Sequence, residues 1–150
     1  MRAEPRLAAA LAATMVLATA GARAASPAIP VLACEQQGVI PAFPPVIPAP
    51  LSMHECTAFS GANAAMVGEA WCRQAAQTSL LGEAPPKVTR VATCPSGALA
   101  RCDQHDATGT VAITRYYYVV HESTGGIAHL KKLCESGKRT GAPAGNFTPL

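Results

Sequence analysis

The sequence lacks most of the short motifs by which enzymes declare their chemistry. There is no G-x-S-x-G elbow, Walker loop, H-E-x-x-H helix or EF-hand loop. These absences remove the usual signatures of serine hydrolases, P-loop nucleotide enzymes, zinc metalloproteases and EF-hand calcium sensors. No C-x-x-C supports a redox role, and no C-x2–4-C pair supports structural zinc. Long apolar runs are missing too. The uncharged stretch Leu7–Ala20 is about 14 residues, short of the roughly 20 needed to span a bilayer. Prolines and charges interrupt every later candidate, and there is no internal repeat.

What is present is an export signal followed by six cysteines. Arg2 and Arg6 precede the apolar run, and Ala22-Arg23-Ala24 offers small residues for a signal peptidase. Cleavage after Ala24 leaves 126 residues, the size of one domain with a real core. The formal net charge of +3 belongs mostly to the leader. Removing Arg2, Arg6, Arg23 and Glu4 leaves nine Lys/Arg against eight Asp/Glu. A balance that even gives no electrostatic footprint for nucleic acid or an anionic membrane. Val31-Leu32-Ala33-Cys34 has a lipobox-like outline, but Pro27 and Pro30 separate it from the apolar run. Acylation of Cys34 would also leave an odd cysteine in an oxidising compartment.

Composition divides the chain into a signal peptide (1–24), a proline-rich extended arm (25–50), a disulfide-braced α+β domain (51–139) and a flexible tail (140–150). Seven prolines between Ser26 and Pro50 argue against helix or central strand in the arm. A helix is expected over Asn63–Leu80, where Ala64, Val67, Trp71, Cys72 and Ala75 form one apolar stripe. Lys87–Cys94 and Thr110–His121 read as strands, taken as an antiparallel pair joined by an open loop. A second helix is expected over Gly126–Ser136, with Gly137 ending it. The fold class is therefore α+β: a small antiparallel sheet with two packed helices, in the order helix-strand-strand-helix.

Cysteines found only in the exported part should pair as disulfides. The working assignment is Cys34–Cys56, Cys72–Cys134 and Cys94–Cys102, one of fifteen possibilities. No catalytic residue, metal ligand or cofactor is assigned. Asp103-Gln104-His105-Asp106, His121-Glu122 and His54-Glu55 bring carboxylates near imidazoles, but each reads first as a solvated turn or strand end. Tyr116-Tyr117-Tyr118 is a candidate contact surface for an extracytoplasmic protein or glycan, because tyrosine is large yet able to hydrogen-bond.

Cys94-Pro95 with Cys102, then Tyr116-Tyr117-Tyr118, then Cys134 with Gly137, resembles a pattern in small exported cysteine-rich bacterial proteins of unknown function. The resemblance covers about the last third of the chain; it implies secretion and disulfides and no activity. The leading expectation is a non-enzymatic exported module binding through the tyrosine strand or the proline arm. Two alternatives are a small hydrolase built on His105 or His121, and an inhibitor presenting its proline-rich segment to a partner's active site.

Overall fold

A computed structural model describes residues 32–77, 85–137 and 143–150. The expected signal peptide lies outside the described residues. Six strands form one antiparallel sheet: β1 (Leu32–Ile40), β2 (Leu51–Gly61), β3 (Lys87–Val91), β4 (Ala100–His105), β5 (Val111–Tyr117) and β6 (Asn146–Pro149). Their spatial order is β3-β1-β2-β5-β4-β6. Two helices, α1 (Ala64–Gln77) and α2 (Gly126–Ser136), complete an α+β fold. Among the described residues, no helix is long and apolar enough to cross a membrane.

The chain begins with strands, so the expected order is corrected. Residues 32–50 of the expected arm are the first strand and the connection of a long hairpin, in which β1 pairs with β2 from Leu32↔Phe59 to Ile40↔Leu51; residues 25–31 lie outside the described residues. The prolines crowd into the connection, and β1 itself contains none. Nor are the two expected strands partners. β3 runs along β1 at one sheet edge, whereas β5 lies between β2 and β4. The expected flexible tail supplies β6, which pairs with β4 from Ala100↔Pro149 to Asp103↔Asn146.

Strand alternation gives the sheet two unlike faces. Leu32, Cys34, Thr57, Phe59, Arg115, Tyr117 and Cys102 share the face that both helices cover. Helix α1 lays Ala64, Gly68 and Cys72 on β1 and β2, with Val67 and Trp71 at the margin. Helix α2 sets Ile127, Leu130 and Cys134 against Ala100, Cys102 and Tyr117. Gly137, at φ 65°, closes it in the left-handed conformation that favours glycine. The opposite face carries Ala33, Cys56 and Ala58, against which Val91, Cys94, Tyr116 and Tyr118 pack.

The bridges are Cys34–Cys72, Cys56–Cys94 and Cys102–Cys134, so none of the three expected pairs forms. Facing explains each correction. Cys34 and Cys56 sit on neighbouring strands but oppose Thr57 and Glu35 respectively, which places their side chains on opposite faces. Cys94 lies with the open-face cluster and Cys102 under α2, so they too are separated by the sheet. Cys72 and Cys134 belong to helices packed over different halves of the sheet. Cys34 gives its sulfur to Cys72, which leaves none for a lipid thioether.

Candidate functional site

The three tyrosines do not form one surface. Tyr117 is buried beneath α2, while Tyr116 and Tyr118 are half-buried on the open face. Tyr118 donates its hydroxyl to the Pro95 carbonyl (2.6 Å) and stacks on His54, with ring centroids 4.3 Å apart. Burial, together with the Glu35 carboxylate and Tyr116, pushes its phenol up to about 12. One ring is therefore core, Tyr116 packs on the open-face cluster, and Tyr118 braces the loop after β3.

His54 joins this brace to a carboxylate. Its Nε2 lies 2.7 Å from Glu35 Oε1, which also accepts from Gln37 Nε2 at 3.0 Å. The hydrogen bond with His54 holds Glu35 below the usual carboxylate range, and burial opposes it. The contact was hidden in the sequence because 19 residues separate the partners. Register reveals it: Glu35 opposes Cys56, and His54 is the next residue of β2 on that face. Such a pair orients an imidazole, but a mechanism also needs a reacting atom held nearby.

The other clusters dissolve into structure. Asp103 accepts from Thr114 Oγ1 (2.9 Å) and pairs with Arg101, while the Gln104 side chain turns to the opposite face and donates to the Cys134 and Pro143 carbonyls. Asp106 staples the β4–β5 turn, accepting from the Thr108 hydroxyl and from the Val111 amide (2.9 Å). Those two bonds, the hydroxyl first, hold its carboxyl down at about 2. His105 is exposed at the end of β4, and His121 Nε2 is bonded to the Ser52 carbonyl at 2.7 Å. No carboxylate joins either imidazole in these contacts. Among the described residues, no group of three or more His, Cys, Asp and Glu is placed to hold a metal ion.

Among the described residues, three of the six exposed large apolar side chains gather at and next to the tip of the β1–β2 hairpin, the others being Met66, Leu99 and Leu150. Residues 36–53 carry no charge, and Val39, Phe43 and Val46 are 61%, 54% and 70% exposed. The tip is ordered by its own backbone. Phe43 N donates to Ile47 O (2.7 Å), and Val46 N and Ile47 N both donate to Phe43 O (2.9 Å). The Pro44–Pro45 peptide within it is cis.

Beside the tip runs a groove of about 230 Å³, walled by Ile40, Ile47, Met53, Val120 and Leu130, with Thr124 and His129 among its polar groups. Glu55 also borders it, buried and 3.9 Å from the equally buried Arg115, whose guanidinium lies 5.7 Å from the centre of the Trp71 ring. No protein-family profile matches the chain, and neither a curated protein nor a solved structure matches it.

Proposed function

We propose that the chain is an exported, non-catalytic binding module whose contact surface is the tip of the β1–β2 hairpin. The observation that carries this reading is an apolar tip left in solvent while its backbone is already hydrogen-bonded to itself. A loop held in one conformation before contact loses less entropy on binding, so its apolar area converts to affinity more fully. Each strand leading to it is pinned by a different bridge, Cys34–Cys72 on β1 and Cys56–Cys94 on β2. The leader pattern and the three disulfides support an oxidising, extracytoplasmic setting. The same tip favours the inhibitor over the hydrolase as the second reading, since an inhibitor also presents a pre-ordered loop.

The test is retention of extracytoplasmic proteins by the wild-type chain and by a Phe43→Ser/Val46→Ser double variant. Both side chains stand in solvent, so the fold should survive. Loss of a retained protein by about tenfold or more is expected, in line with the removal of a contact anchor. Equal retention by the two proteins, with retention of further copies of the chain itself also unchanged, would remove the tip as the contact surface. Inhibition of a secreted protease, abolished by the same changes, would select the inhibitor reading.

A further inference from the structure

We infer that the partner seated at the hairpin tip is a second copy of this chain, with Phe43 of each copy entering the groove of the other. This rests on the reading of the tip as the contact surface and names what meets it. A knob and a hollow lie side by side on one stretch of chain. Ile40 and Ile47 line the groove, and Phe43 and Val46 project into solvent from the residues between them. An isologous twofold contact needs that arrangement, because each surface must offer both the group that inserts and the site that receives it.

Size and charge agree. A hollow of about 230 Å³ falls below the roughly 300 Å³ at which small-molecule pockets begin. It suits one inserted side chain. Residues 36–53 carry no charge, and Glu55, the carboxylate bordering the groove, is already buried beside Arg115, so the inserting tip strips no water from an exposed carboxylate. The near-balanced charge beyond the leader supplies no net repulsion between copies. Both halves of the contact are already on this surface, and a foreign partner would have to supply one of them.

The experiment is sedimentation equilibrium of the exported, oxidised protein up to about 100 μM, a range that captures micromolar association. Wild type is compared with Phe43→Ser, which removes the knob, and Thr124→Trp, which fills the groove from an exposed position at its edge. A wild-type dimer whose dissociation constant rises about tenfold or more in both variants, with melting temperatures unchanged, is the expected result. A monomer throughout the range would overturn the proposal, as would a dimer indifferent to either change. If the wild type is monomeric yet still retains a foreign protein through Phe43, the second copy is excluded and the tip survives as a contact surface. If Phe43 matters to neither measurement, both readings fall.

Discussion

Gly68 sets how closely α1 rests on the sheet. A Cβ there would stand 2.8 Å from Leu32 Cδ2 and 3.0 and 3.2 Å from two carbons of the Phe59 ring. Leu32 is only partly buried and can turn aside, but Phe59 is fully buried and has no room to yield. Glycine in a helix interior costs about 1 kcal/mol relative to alanine, so its presence is explained by the approach it permits. Gly68→Val should lower stability by about 1–3 kcal/mol, the usual cost of overpacking. Thermal denaturation checks this, and a variant melting with the wild type would show that the helix can lift without loss. The stripe of Ala64, Val67, Trp71, Cys72 and Ala75 was readable from helical spacing. Gly68 was not, because a search for apolar side chains passes over the one residue that contributes by having none.

At the scale of elements, local signals were legible and partnerships were not. Helix α2 spans Gly126–Ser136 and ends at Gly137 as its spacing and glycine required, and α1 begins within a residue of its expected start. Strand β5 fell inside the alternating run. Strand β1 was obscured by the prolines around it, although the strand itself is free of them. Strand β6 was obscured by a surrounding sequence of Gly, Ala and Pro that by itself favours no structure. What orders β6 is distant in sequence: pairing with β4, and Phe147 packed on the cluster around Cys102 and Cys134. Gln104 and Gly145 tie the approach to β6 to the end of α2 through the Cys134 carbonyl. The open-face pair of Glu35 and His54 escaped notice for the same reason, since it exists only once β1 and β2 are in register. Phe147→Ala should therefore cost about 2 kcal/mol, less than the 3–5 of a fully buried phenylalanine. Urea denaturation measures it. An unchanged midpoint would mean that β6 adds nothing to the fold.

For the molecule as a whole, the question is what the disulfides do. A chain of this length can build a core that bridges merely reinforce, which is what the length alone suggests. The interior is thinner than that. Its buried apolar positions among the described residues include Cys34, Cys56, Cys72, Cys102 and Cys134 together with Ala33, Ala58, Ala64 and Ala100. Large apolar side chains are few, chiefly Phe59, Val111, Leu51 and Tyr117. The bridges span 38, 38 and 32 residues and tie β1 to α1, β2 to the segment after β3, and β4 to α2. In the chain-entropy account each loop of that size contributes roughly 4 kcal/mol. Two of the loops overlap in sequence, so the contributions do not simply add. Even half their sum rivals the ~5–15 kcal/mol net stability of an ordinary domain. Reduction should therefore abolish cooperative folding at ambient temperature, which circular dichroism with and without a phosphine reductant would follow. A peptide map without reductant is its control and should recover Cys34–Cys72, Cys56–Cys94 and Cys102–Cys134. If the fully reduced chain keeps a sharp thermal transition within a few degrees of the oxidised one, the small apolar interior suffices by itself. The cross-links would then be reinforcement, and the fold would not depend on an oxidising compartment.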